Sequence, residues 1–300
     1  MVGETLSVTV DIEDWYHIPS VTGSSFSVYR DTDEFFRTWD QRYDFLSQPT
    51  EQILKILEDY AIRATFFVVA DVVDHYPGLV ESIADKGHEI ACHGLHHACK
   101  IDPKTRQALI SQQDFEKRTR QSKMLLENIS RQKITGYRAP NALIGQWMWE
   151  SLYKIGFTYD SSISVNSLYT KTDHIPQGVT SAPYYPLRGH NNQNSDRANF
   201  LEFPFSYLET CGIKIPTSGG PMLRFLGKRI ILKGLRQSMK RGHTTFYVHP
   251  IDICNEKFPR VGKGRPLYWI VKGKVVENRL KWLLNNLKDV HKIPLKEYSG

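Results

Sequence analysis

The stretch Gly87-His88-Glu89-Ile90-Ala91-Cys92-His93-Gly94-Leu95-His96-His97 decides how the rest of the chain is read. A short apolar run, Ile90-Ala91-Cys92, ends in a histidine, and a second histidine follows four residues later. That spacing predicts that His93 and His97 share one side of a helical turn, within reach of a single metal ion. Two neutral imidazoles suit zinc, iron, cobalt or nickel better than magnesium or calcium. They need an oxygen ligand to complete a three-ligand site that keeps one position open for water. Asp11-Ile12-Glu13-Asp14 offers the candidates. The histidine pair alone is a weak signal, because surface and capping histidines give the same spacing.

The elements around this stretch alternate. Leu6 to Val10 reads as a buried strand that delivers Asp11, Glu13 and Asp14 at its carboxyl end. Ile53, Leu54, Ile56, Leu57 and Tyr60 form a helix stripe, and Ala64 to Val69 a second buried strand. A helix over Leu79 to Lys86 ends at Gly87 and leads into the histidine strand. Residues 103–129 read as a long polar helix or helix pair. Ile134 to Pro140, Phe157 to Asp160, Phe200 to Pro204 and Thr244 to His249 complete the strand set. Trp147 to Ile155 and Val276 to Leu287 are helical, and Leu223 to Met239 is basic and amphipathic. Strands alternating with helices predict an α/β fold with parallel strands, whose site lies at the strand carboxyl ends. Asp11 to Asp14, His93, Arg138, Asp160 and His249 all end predicted strands. With no internal repeat or linker, one domain over residues 1–300 is the simplest organisation, with loop insertions near 17–48 and 185–199 and a C-terminal extension near 253–300.

Composition sets wider bounds. Hydrophobic content of 40% and charged content of 24% are ordinary for a globular protein, so disorder is not expected. A net charge of +7 favours an acidic partner such as an anionic sugar, a nucleotide or a membrane surface. No nucleic-acid recognition motif accompanies that charge, and nucleic acid is discounted. The N-terminal residues lack a basic segment and an apolar core, and no window reaches 18 apolar residues, so neither signal peptide nor transmembrane helix is expected. Cys92, Cys99, Cys211 and Cys254 have no metal-site spacing and read as reduced thiols, which points to the cytoplasm.

Several ordered stretches together resemble the NodB-type polysaccharide deacetylases, carbohydrate esterase family 4. Thr9-Val10-Asp11-Ile12-Glu13-Asp14-Trp15 resembles the first family motif, an aspartate base followed closely by a carboxylate ligand. Ala64-Thr65-Phe66-Phe67-Val68 and the histidine stretch resemble the next two motifs. Gly136-Tyr137-Arg138-Ala139-Pro140, Tyr159-Asp160-Ser161-Ser162 and Val248-His249-Pro250-Ile251-Asp252 resemble the later ones. Glu202-Phe203-Pro204 and Ile215-Pro216-Thr217-Ser218-Gly219-Gly220 resemble a subgroup associated with exopolysaccharide and O-antigen gene clusters. The first motif departs from the family: many members have adjacent aspartates, whereas Ile12 and Glu13 stand between Asp11 and Asp14 here. Strand alternation points Asp11 and Glu13 the same way, and Asp14 joins them only if the backbone turns, so both acids remain candidate ligands. The fold the resemblance implies is a distorted (β/α) barrel of about seven parallel strands.

The implied reaction is hydrolysis of an N-acetyl group from an amino sugar of a surface polysaccharide or its precursor, releasing acetate. Glu13 or Asp14, with His93 and His97, would hold one divalent metal, zinc before cobalt, nickel or iron. Asp11 would act as base, paired with Arg138. A backbone N–H near Asn141 would meet the oxyanion, and His249 would protonate the departing amine with Asp160 orienting it. Trp15 and Tyr16 are candidate sugar platforms, with core packing as the other reading. The substrate class is an N-acetylated sugar, an oligosaccharide, or a lipid- or nucleotide-linked glycan. The basic stretch from Leu223 suggests peripheral contact with the inner face of a membrane. Competing readings are a same-fold hydrolase of a cyclic imide or other non-sugar amide, and a catalytically silent carbohydrate-binding protein.

Overall fold

In β1 (Thr5–Ile12), Leu6, Val8, Val10 and Ile12 are buried in the main apolar core, and Ser7, Thr9 and Asp11 take the opposite face. The strand is therefore apolar towards a helical layer and polar towards the barrel interior. The computed structural model describes residues 4–20, 27–173, 175–188, 199–262 and 269–298. After β1 the chain forms α1 (Thr32–Thr38), α2 (Ser47–Asp59), β2 (Thr65–Val68), α3 (Val72–His75), α4 (Leu79–Asp85) and β3 (Glu89–Cys92). Then come α5 (Gln112–Ser130), β4 (Gly136–Tyr137), α6 (Gln146–Ile155), β5 (Tyr159–Asp160) and β6 (Leu201–Glu202). A hairpin of β7 (Tyr207–Thr210) and β8 (Ile213–Pro216) precedes α7 (Gly220–Phe225), α8 (Gly227–Met239), β9 (Thr244–Val248), α9 (Pro250–Ile253), α10 (Lys274–Asn285) and β10 (His291–Lys292).

Seven parallel strands in the order β9-β1-β2-β3-β4-β5-β6 form a curled half-barrel, the expected distorted barrel, with β10 beside the start of β1. An isolated parallel bridge from Phe205 to Thr245 reaches from the segment after β6 across to β9. Phe67, Ala91, Tyr159, Phe203 and Leu295 pack as a separate small cluster. Crowding there explains a glycine: a Cβ on Gly136 would lie 2.1 Å from the Tyr159 ring.

Several expected boundaries shift. The helix read over 103–129 begins only at Gln112, where Ser111 caps it by accepting from the Asp114 N–H. Leu223 to Met239 is two helices parted at Gly227, whose φ of 73° suits glycine. The 17–48 insertion contains α1, and its aromatic residues fold back over Trp15. Of the loop near 185–199, residues 189–198 lie outside the described residues. The region 253–300 is tied in by α10 and by β10, which pairs with β1. No described helix is long and apolar enough to cross a membrane.

Candidate metal centre and active site

Glu13 follows β1, His93 follows β3, and one ligand atom from each of Glu13, His93 and His97 lies within 4.8 Å of the others. The helical turn expected for the histidine pair is absent, since residues 94–99 form a loop. The approach is made instead through two left-handed residues, Gly94 (φ 84°) and His97 (φ 48°). His93 Nδ1 donates to the Arg138 carbonyl at 2.9 Å, which leaves Nε2 as the lone-pair atom for the cluster. Burial lowers the His93 imidazole to about 4 against the pull of Asp11, so the ring is neutral, the form that binds metal.

Burial pushes the Glu13 carboxyl up, but His97, with His249 and His93 behind it, outweighs this and holds it below its ordinary value. Glu13 Oε2 touches His97 Nε2 without hydrogen-bond geometry. Glu13 Oε2 and His97 Nδ1 are buried without hydrogen-bond partners. A buried carboxylate oxygen that no donor satisfies, beside two imidazoles, is a donor set that fits zinc or a similar cation.

Asp14 does not join this group. One of its oxygens accepts from the Trp15 N–H, and the other accepts from the Phe45 N–H and the Tyr76 hydroxyl. The Asp14 oxygens are taken up by these donors, and the carboxylate that lies with His93 and His97 is Glu13. Trp15 and Tyr16 also need correction as sugar platforms. Both are fully buried, Trp15 against Phe35, Trp39 and Phe45, and Tyr16 stacked on Phe35. Behind the cluster, His17 Nδ1 accepts from the Asp14 N–H, and its Nε2 donates to Asp71 at 3.0 Å.

Asp11 and Arg138 form a buried ion pair beside the three candidate ligands. Arg138 Nη1 donates to Asp11 Oδ1 at 2.6 Å and to Thr9 Oγ1 at 2.9 Å. Its Nε and Nη2 donate to the Ser161 carbonyl and hydroxyl, both at 2.8 Å, and the guanidinium lies over Phe67. A side chain held on so many sides fixes Asp11 and leaves Oδ2 facing His249 Nε2, 3.8 Å away. His249 Nε2 is also 3.4 Å from Glu13 Oε1. Burial lowers the His249 imidazole, while Glu13 and Asp11 pull the other way.

The orienter of His249 is Asp252, not Asp160. His249 Nδ1 donates to Asp252 Oδ2 at 3.1 Å, and the same oxygen accepts the His249 backbone N–H at 2.8 Å. Asp252 Oδ1 in turn pairs with the buried Arg224. Asp160 accepts from Trp149 Nε1 and Ser162 Oγ and lies against Glu202. Burial raises both of those carboxyls, Glu202 well above its ordinary value. Asn141 lines the cleft in a strained turn, with φ of 57° there and 55° at Ala142. Sequence reasoning missed Asp252, Arg224 and Lys171 as cleft residues. For Asp252 a signal existed: Pro250 at the first helical position and an acid at the third mark His249 as an N-cap.

Residues 30–159 match the polysaccharide deacetylase family, and residues 165–292 match a domain of unknown function, DUF3473. The first match holds His93, His97 and Arg138 but begins after Asp11 and Glu13, while His249 and Asp252 fall in the second. The chain is 30% identical over 115 residues to the peptidoglycan deacetylase of Helicobacter pylori, covering 38% of this chain and 37% of that protein. It is 32% identical over 62 residues to the peptidoglycan-N-acetylmuramic acid deacetylase PdaA of Bacillus subtilis, covering 21% and 23%. The chain thus spans well under half the length of these relatives. Among solved structures, a putative polysaccharide deacetylase from Mycobacterium smegmatis superposes with a TM-score of 0.62 at 18% identity, over 98% of this chain and 87% of that one. Puue allantoinase superposes with a TM-score of 0.59 at 14% identity, over 98% and 88%. At those identities the likeness is one of fold. With the motif residues gathered at one end of a shared barrel, the chain has the fold of these solved structures, and its residues 30–159 are similar to the polysaccharide deacetylase family and, over part of their length, to peptidoglycan deacetylases.

Proposed function

We propose that this chain is a single-domain, metal-dependent hydrolase that removes the N-acetyl group from an amino sugar of a surface polysaccharide or its precursor. The convergence of Glu13, His93 and His97 beside the Asp11–Arg138 pair and His249 carries this reading. Glu13, His93 and His97 would hold one divalent ion, zinc before cobalt, nickel or iron, and such an ion polarises an amide carbonyl and activates water near neutral pH. The chain's own residues do the rest. Asp11 takes a proton from the attacking water at Oδ2 while Arg138 holds Oδ1. A backbone N–H of the turn at Asn141 meets the charge that develops on the carbonyl oxygen. His249 passes a proton from Nε2 to the departing amine, with Asp252 holding Nδ1. The C–N bond breaks, leaving acetate and a free amino sugar.

The substrate we favour is a glycan on a lipid or nucleotide carrier, of the kind made by exopolysaccharide and O-antigen clusters, handled in the cytoplasm near the membrane. Residues 210–251 hold eight Lys and Arg and no acidic residue, and the other 31 basic residues are matched by 32 acidic ones. By formal count the excess positive charge falls in that segment, where Arg224, Arg236 and Arg241 pair with acids outside it. Exposed Phe225 and Ile230 sit among its basic residues, the pairing that suits an anionic lipid surface. Failure of the protein to sediment with anionic vesicles would remove the membrane contact.

The experiment for the activity is metal analysis of purified protein together with acetate release from N-acetyl sugars of different carriers. One bound ion per chain and acetate from at least one sugar are expected. Loaded protein that opens a cyclic imide and frees no acetate would transfer the site to the competing reaction.

A further inference from the structure

The candidate site is lined by three carboxylates, Asp11, Glu13 and Asp252, and three cations, Arg138, Arg224 and Lys171. Two of the cations are neutralised inside the wall: Arg138 by Asp11 and Arg224 by Asp252. Glu13 is turned to the two histidines. Lys171 is left. Its ammonium donates to the Asn141 carbonyl at 2.9 Å and has no carboxylate within salt-bridge distance among the described residues. The ammonium also lies 5.6 Å from the centre of the Tyr169 ring, and its other two donors have no hydrogen-bond acceptor among the described residues.

The loop that carries Lys171 is built into the wall on both sides. Thr172 bridges Ile144 in a parallel pair, and the Asp173 carboxylate accepts the Gln146 N–H at the start of α6. The same Lys171 contact grips the carbonyl of the strained turn at Asn141, the turn beside which the reacting carbonyl would lie. A half-buried cation without a counter-charge is costly unless an anion arrives to meet it. A divalent ion on Glu13, His93 and His97 would turn the lining, neutral by its own three carboxylates and three cations, net positive.

We propose that Lys171 is a specificity-determining residue that receives an anionic substituent, a carboxylate or phosphate, on the N-acetylated sugar. The inference rests on the deacetylase reading for the identity of the sugar but not for the charge of the subsite. Burial lowers the Lys171 ammonium from its ordinary value, against the pull of Cys99 and Glu13.

The test uses zinc-loaded full-length protein and three probes: neutral N-acetylglucosamine oligomers, glycans containing N-acetylmuramic acid as the carboxylate arm, and UDP-N-acetylglucosamine as the phosphate arm. Calorimetric titration measures binding of each probe, and acetate release measures turnover. Wild type should bind at least one anionic probe about ten- to a hundredfold more tightly than the neutral one. Lys171→Met should weaken the anionic probes, through KM, about ten- to a hundredfold more than the neutral oligomers, whose smaller loss reports only the contact to the Asn141 turn, and Lys171→Arg should retain most of the preference. Lys171→Gln serves as the second neutral variant if the methionine variant fails to fold. Equal affinity of wild type for all three probes overturns the proposal. So does an equal loss on neutral and anionic probes in Lys171→Met, which would make Lys171 only a brace for the Asn141 turn. A weakened inhibition by acetate alone in that variant would reassign the cation to the product, which also overturns it. Absence of acetate from every probe with the anionic binding preference intact would defeat the deacetylase reading and spare the subsite.

Discussion

His249 and Asp252 are joined twice: the imidazole Nδ1 and the backbone N–H of His249 both donate to Asp252 Oδ2. One carboxylate oxygen thus sets both the ring's tautomer and the start of α9. Asp252→Asn keeps an acceptor but removes the charge that favours a protonated ring, and leaves Arg224 without its counter-charge. A fall in kcat of about a hundredfold or more is expected. Asp160→Asn should keep kcat within a few fold, because Asp160 bonds to Trp149 and Ser162 instead. Steady-state acetate release from the two variants decides between them.

The metal assignment separates two neighbouring acids. Glu13→Gln should lower bound zinc far below one ion per chain, as read by elemental analysis after dialysis. Asp14→Asn should leave zinc content unchanged, since its oxygens are occupied by Trp15, Phe45 and Tyr76. Its cost should instead appear in stability, on the order of 1–3 kcal/mol by denaturant titration. Zinc loss in Asp14→Asn with retention in Glu13→Gln would reverse the assignment.

Asp11→Asn tests the base. The variant keeps all three candidate ligands, so zinc content should stay at the wild-type level while kcat falls about 10²–10⁴-fold. Arg138, buried and deprived of its carboxylate, should cost about 3–5 kcal/mol in unfolding free energy. Activity near wild type would exclude Asp11 as the proton acceptor.

His243 gives a pH dependence away from the cleft. Its ring lies between the Ser7 and Thr5 hydroxyls, and burial lowers it to about 4 from 6.5. The unfolded chain therefore binds a proton that the folded one refuses between those values. Its contribution is fully present above pH 6.5 and is lost as the pH falls towards 4, by about 3 kcal/mol over the window. In His243→Gln the unfolding free energy should fall less steeply over the same range. Identical slopes in the two proteins would remove His243 as the cause.

Trp15→Ala should destabilise by about 3–5 kcal/mol through the cavity left among Phe35, Trp39 and Phe45. KM for any sugar should not move in the folded fraction. A raised KM at full stability would restore Trp15 as a sugar contact.

What could be read from the sequence follows the range of the forces involved. The alternation in β1 already pairs Asp11 with Glu13, because a two-residue period needs only the strand itself. The end of the apolar run at His93 was legible for the same reason. The His93–His97 spacing was informative although the geometry behind it was wrong: a left-handed loop, not a helical turn, supplies the approach. The local pattern could not tell which face Trp15 and Tyr16 would take, since α1 and the residues up to Phe45 return over them from a distance. The pairing of Asp160 with His249 rests on the resemblance alone, and in the fold Asp160 bonds to Trp149 and Ser162. Asp252, three residues from His249, was the closer solution.

The left-handed backbone of His97 has a consequence for how this loop can be re-engineered. A histidine at φ 48° is held against its own preference, at a cost on the order of 1–3 kcal/mol, whereas glycine adopts that conformation freely. His97→Gly should thus leave a relaxed loop around an imidazole-shaped vacancy. Added free imidazole would then occupy the vacancy as a diffusible surrogate for the missing ring, restoring zinc retention and with it some turnover.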